Sequence, residues 1–197
     1  MIVLIFVFLI FLISYFFPKF IHKHNYVLYG VAAFVALISG LDYSNIVTLG
    51  FLPLAYMIVV MFTGVLDRGK IRKHLAMVRA ENAIIGVILL VPHAIGYIEY
   101  FLEFGSLIDS PVPMIGIASA IISVPLFITS FPIIRKKFKY SEWKQIHLLA
   151  YLFYIMIFIH LLLINNSRIL IYIIIFGVYL LLKGTELYKK YKKPSTQ

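Results

Sequence analysis

The chain has 197 residues, 62% of them hydrophobic and 13% charged, with a mean hydropathy of +0.99. A soluble domain is about half apolar and about a quarter charged, so this composition excludes an ordinary soluble globule, a disordered chain and a multidomain enzyme. The net charge of +10 would suggest nucleic acid on a soluble surface, but here the cations lie in short segments between apolar runs, the pattern of membrane topology, and no nucleic-acid partner is expected.

Seven apolar runs approach the roughly 20 residues that a spanning helix needs. In chain order they are 1–17, 25–41, 46–66, 75–104, 113–134, 143–164 and 168–187. The first has no basic segment before it, and is read as a retained helix rather than a leader. The connecting segments are short, so consecutive helices run antiparallel and pack as neighbours. The expected fold is all-α, a polytopic transmembrane helical bundle of about seven helices. With no cysteine in the chain, disulfides, iron–sulfur clusters and thiol catalysis are excluded together.

Orientation follows from the cations. Lys19 and Lys23; Arg68, Lys70, Arg72, Lys73 and Arg79; Arg135, Lys136, Lys137, Lys139 and Lys144; and Lys183, Lys189, Lys190, Lys192 and Lys193 all fall on one side, which makes 17 of the 18. Arg168 alone falls on the other. The positive-inside rule therefore predicts a multi-pass protein of the cell membrane with its N-terminus outside and its C-terminus in the cytoplasm.

Three of the six histidines, His93, His147 and His160, lie inside apolar runs. An ionisable group at membrane depth marks a functional site by default, and imidazole is a common axial ligand of haem iron. Measured from Arg79 and Trp143 as edge markers, His93 lies about 21 Å and His160 about 26 Å along their helices, whereas His147 lies about 6 Å in. His93 and His160 are thus matched in depth and can share one iron, leaving His147 for a second. His147 and His160 point about 140° apart on an ideal helix, so a single groove does not serve both without distortion. The competing reading is that all three hydrogen-bond across helices and carry no iron.

Trp143-Lys-Gln-Ile-His147, then twelve residues, then His160 resembles the fifth core helix of the ferric reductase-like transmembrane family. Phe127-Ile-Thr-Ser130 followed by Arg135-Lys-Lys resembles that family's helix ending in Thr-Ser, and Arg79 with His93 fourteen residues on resembles its third core helix. Within the family the chain is similar to the haem-binding membrane subunits of bacterial periplasmic methionine sulfoxide reductase systems. The resemblance implies a five-helix haem-binding core over 46–187, two added N-terminal transmembrane helices over 1–45 and a basic cytoplasmic tail over 188–197. It implies His93, His147 and His160 as axial ligands of one or two b-type haems. Electrons would come from a cytoplasmic flavin reductase or reduced flavin, with FMN or FAD supplied by that partner, or from a quinol. They would pass to an extracytoplasmic acceptor protein such as a methionine sulfoxide reductase, or to ferric iron. The family's fourth histidine falls near Arg79 here, and His74 is a substitute at a basic helix edge.

Other residues carry two readings each. Arg79 can face the propionates of an inner haem or anchor the helix at the inner surface. Arg135, Lys136, Lys137 and Lys139 can dock an acidic flavoprotein, or set topology and meet anionic lipid of the bilayer. Glu99, Glu103 and Asp109 can attract a cationic acceptor or simply face water. His22 and His24 form a His-x-His pair without an evident third ligand. Tyr151 and Tyr154 share a helix with His147. Gly86 and Gly96 allow close approach, and Pro92 and Pro125 are expected kinks. The functional reading is an electron-transfer subunit without its own flavin or nicotinamide domain. The alternatives are a histidine-based proton-coupled transporter, for which the polar stripe is sparse, and a cofactor-free structural membrane subunit.

Overall fold

The computed structural model describes residues 2–42, 44–67, 69–104, 109–164 and 167–192. Arg68 and Lys193, both counted in the charge asymmetry, lie outside the described residues. Ten helices form among them: α1 (Ile2–Phe16), α2 (Pro18–Lys23), α3 (Asn25–Ser39), α4 (Phe51–Thr63), α5 (Lys70–Met77), α6 (Arg79–Glu103), α7 (Pro111–Ser130), α8 (Pro132–Arg135), α9 (Tyr140–Leu163) and α10 (Ile169–Lys192). Seven of them occupy the seven apolar runs; α2 and most of α5 are short helices in connections read as loops, and α8 takes the end of the run 113–134, which extended Phe131 separates from α7. The protein is an all-helical, multi-pass membrane protein. Helices α6, α7, α9 and α10 are long and apolar enough to cross a bilayer. Helices α1 and α3, with 15 residues each, and α4, with 13, reach only about 22 and 20 Å against a hydrocarbon core of about 30 Å.

Three boundaries differ from the expectation. The run 75–104 does not begin its helix at Leu75: α5 ends at Met77, Val78 takes a non-helical conformation, and α6 starts at Arg79. Leu75 and Val78 are buried there, so α5 folds its apolar side under the bundle while Lys70 and Lys73 stay exposed. The run 46–66 is helical only from Phe51, because Gly50 sits in the left-handed region with φ 78°, a conformation that glycine adopts without steric cost. Before it, the Asn45 side chain accepts from the amides of Val47 and Thr48, and the Thr48 hydroxyl donates to the Asp42 carbonyl. Asp42 in this turn is held below its ordinary carboxylate range by the Ser44 hydroxyl and amide. At the far end of the chain α10 continues through Lys192, beyond the predicted end of its span at Leu187.

The helices pack as α1 on α4, α4 on α6, α6 on α7, and α7 on α9, with α3 against α6 and α10 against α9. Gly86 makes the α4–α6 approach possible: a Cβ there would lie 2.8 Å from the Met57 terminal methyl and 2.9 Å from Tyr56 Cβ. A shared core of Met57 and Met61 from α4, Phe153, Tyr154 and Leu161 from α9, and Tyr172, Phe176 and Tyr179 from α10 closes the bundle. Leu37, Leu181 and Ile174 point outward and are strongly exposed, as side chains that face lipid are. Ser14, Ser119, Ser123, Thr129 and Ser130 are buried, because small polar residues allow close helix contact and have their hydroxyls satisfied inside.

The N-terminal helices are stitched to α5 and α6 by polar contacts. Asn82 donates to the Ser14 hydroxyl at 2.9 Å, and the His74 Nδ1–H donates to the Tyr15 carbonyl at 2.9 Å. His22 Nδ1 lies 2.6 Å from the buried Glu81 carboxylate. The second oxygen of Glu81 and the Tyr29 hydroxyl are buried without a hydrogen-bond partner among the described residues.

Candidate functional site

His93 sits on α6 directly after Pro92. Its Nδ1 lies 2.8 Å from the Thr48 carbonyl oxygen. A carbonyl only accepts, so Nδ1 carries the proton and Nε2 keeps its lone pair. The Thr48 carbonyl is available because the chain before Gly50 is not helical. His160, in the last turn of α9, repeats the arrangement: its Nδ1–H donates to the Val112 carbonyl at 3.0 Å, in the first turn of α7.

Each imidazole also lies against a glycine. A Cβ on Gly50 would come 3.0 Å from both Cε1 and Nδ1 of His93, and a Cβ on Gly116 would come 3.0 Å from Cε1 of His160. Both positions are therefore cradles that any larger residue would fill. Tyr97, one turn beyond His93, places its ring centroid 4.9 Å from the imidazole.

Both histidines line one cavity of about 540 Å³, within the range of about 300–1,000 Å³ typical of small-molecule and cofactor sites. Its walls come from α4, α6, α7, α9 and α10 and are mostly apolar, among them Met57, Leu90, Ala120, Phe153 and Ile157. Neither α1, α2 nor α3 contributes a wall. Arg168 is the one charged side chain among the described residues that line it.

His147 is placed differently. It does not line this cavity. Its Nε2 lies 3.1 Å from the Thr129 hydroxyl, which donates its own proton to the Pro125 carbonyl at 2.7 Å. The hydroxyl has one hydrogen, so it accepts from His147 Nε2–H. Trp143 packs on the imidazole with ring centroids 4.1 Å apart and donates its indole N–H to the Thr129 carbonyl at 3.2 Å. Arg135 lies over the Trp143 ring at 4.4 Å. Residues of the basic run and of the Thr-Ser helix end thus form one packed unit with His147.

Arg79 also stands apart from the cavity, at the opposite end of α6. A Cβ on Gly64 would lie 3.2 Å from its Nη2, and its guanidinium is within hydrogen-bonding reach of the Tyr154 hydroxyl. The structure therefore places His93 and His160 on one cavity and leaves His147 and Arg79 outside its lining. His22, His24 and His74 hydrogen-bond to Glu81, the Phe20 carbonyl and the Tyr15 carbonyl. Sequence reasoning missed Gly50, Gly116 and the two accepting carbonyls; only Pro111 and Pro113 beside Val112 hinted at a helix start there.

Residues 44–158 match the family model described as the ferric reductase like transmembrane component. The matched stretch starts after α3 and includes His93 and His147. An uncharacterized protein of Treponema pallidum (strain Nichols) is 31% identical over 112 residues, which span 52% of this chain and 30% of that protein. No solved structure matches the chain.

Proposed function

The chain belongs to the ferric reductase-like transmembrane family, and on that premise we propose that it carries electrons across the bilayer through one b-type haem held between His93 and His160. One observation carries this reading: two imidazoles on different helices each commit Nδ1–H to a backbone carbonyl and open on the same cavity. Axial histidines are commonly fixed in this way, the second-shell acceptor setting tautomer, ring orientation and basicity. The donor set fits haem iron: Gly50 and Gly116 let the two imidazoles seat against the backbone, and the cavity between them supplies the space.

When bound, haem supplies a one-electron couple that needs no contact between donor and acceptor. The chain's own task is to present two neutral imidazoles, to hold their orientation through Thr48 and Val112, and to keep water away with apolar walls. The basic end, with α5 and α8, is the cytoplasmic side in this reading. There reduced flavin, a flavin reductase carrying FMN or FAD, or a quinol delivers electrons. An extracytoplasmic methionine sulfoxide reductase or ferric iron accepts them beyond Arg168. His147 is a structural histidine here, because its Nε2–H is given to Thr129.

A proton-relay transporter fits less well. The buried hydroxyls of Ser119, Ser123, Thr129 and Ser130 each donate to a carbonyl of their own helix, so they do not form a chain that hands protons on.

The test is a reduced-minus-oxidised absorption spectrum of the purified full chain, with haem and protein quantified together. Low-spin b-type bands at about one haem per chain are expected. Protein made with ample haem supply and carrying none would overturn the proposal, and a ratio near two would bring His147 back as a ligand.

A further inference from the structure

Arg168 runs against the charge pattern of the whole chain: it is the single cation on its side, where topology calls for none. Its position is built rather than incidental. The guanidinium lies over the Phe51 ring at 4.8 Å and within hydrogen-bonding reach of the Tyr172 hydroxyl. Tyr172 is one helical turn further along α10 and 2% exposed. Phe51 directly follows Gly50, the residue packed on His93, and Arg168 comes eight residues after His160. The one charged side chain among the described residues of the cavity lining thus shares that cavity with both histidines and is held over an aromatic face. A guanidinium that lines a mostly apolar cavity suits an anion of planar geometry entering that cavity, and a carboxylate matches it with two parallel N–H···O bonds.

We infer that Arg168 binds a carboxylate of the group in the cavity, the propionate of the haem, and so fixes which edge of the macrocycle faces the outer end. This rests on the haem reading above. Phe51 and Tyr172 are positioning residues: they hold the guanidinium and do not themselves meet the anion. With haem in the cavity, the positive charge of Arg168 on the cavity lining would favour the state with one more electron and raise the reduction potential. An anionic electron acceptor reaching the same cation from outside is the other source of such a carboxylate, and it is an outcome of the test.

The experiment loads purified wild-type chain and Arg168→Gln with haem or with its dimethyl ester, whose propionates are uncharged. It follows loss of each to an excess of apomyoglobin and measures the midpoint potential. With haem, Arg168→Gln is expected to speed loss by about tenfold or more and to lower the potential, with Arg168→Lys in between. With the ester, wild type and Arg168→Gln should lose it at the same rate. A substitution effect of equal size with haem and with ester would overturn the inference, since Arg168 would then act by packing or on an external anion. An unchanged loss rate and potential in haem-loaded Arg168→Gln would do the same. Wild type that takes up no haem sinks the earlier proposal instead. If Arg168→Gln does not accumulate, wild type alone decides: it should release the ester faster than haem, and equal rates count against the inference.

Discussion

The two ends of helix α9 hold the same side chain in opposite circumstances. At its end, His160 gives Nδ1–H to a carbonyl of α7 and turns toward a cavity that it shares with His93. Near its start, His147 is clasped by Thr129 and covered by Trp143. The difference lies in the neighbours of the ring. A glycine faces His160, and a helix end carrying a threonine hydroxyl faces His147. An imidazole becomes a candidate ligand when one nitrogen is satisfied and the other opens on space. His147 instead has its Nε2 engaged by a side-chain hydroxyl and its ring packed on Trp143.

The sharpest way to break this contrast is to remove the histidines one at a time. His93→Ala and His160→Ala are each expected to abolish the haem spectrum, and His147→Ala to keep it at unchanged stoichiometry, read by difference spectroscopy. Loss of haem in His147→Ala with retention in either of the others would invert the comparison. Filling a cradle comes next. Gly116→Val should lower haem occupancy by about tenfold, since overpacking a fitted site costs about 1–3 kcal/mol, while leaving helix content by circular dichroism unchanged.

Two further substitutions concern the basic end alone. His22→Ala removes the imidazole that hydrogen-bonds Glu81, a carboxylate only 3% exposed. It should cost about 1–3 kcal/mol in thermal unfolding without altering the haem spectrum of the protein that remains folded. Thr129→Val leaves His147 Nε2–H without its acceptor. A loss of about 1 kcal/mol is expected, together with a change in the fluorescence of Trp143, the one tryptophan of the chain. A haem-loading defect in Thr129→Val would show that the two ends are not independent.

Arg79 and Arg168 carry a related lesson. Arg79, expected from the sequence beside an inner haem or as an anchor at the inner surface, lies by Gly64 and Tyr154 and away from the cavity of His93 and His160. Arg168 drew notice only as the exception to a topology rule, yet it lines the cavity. Spacing along one helix describes depth and says little about which groove a side chain enters. The helix breaks were hidden for a similar reason. Val78 and residues 46–50 are apolar enough to continue a span, and what interrupts them is packing of α5 beneath the bundle and the hydrogen-bonded turn from Asp42 to Thr48.

What the sequence determined by itself is the all-helical membrane architecture, the seven apolar helices and the matched depth of His93 and His160. These depend on local hydropathy and on the constant rise of a helix, both of which a single segment carries in its own residues. The tertiary structure decided which nitrogens are committed and which histidines meet. The carbonyl that fixes His93 lies 45 residues away and the one that fixes His160 lies 48 away. Contacts of that range exist only after antiparallel helices have docked, and they hinge on small features, a left-handed glycine and a helix start, that leave no periodic trace in the chain.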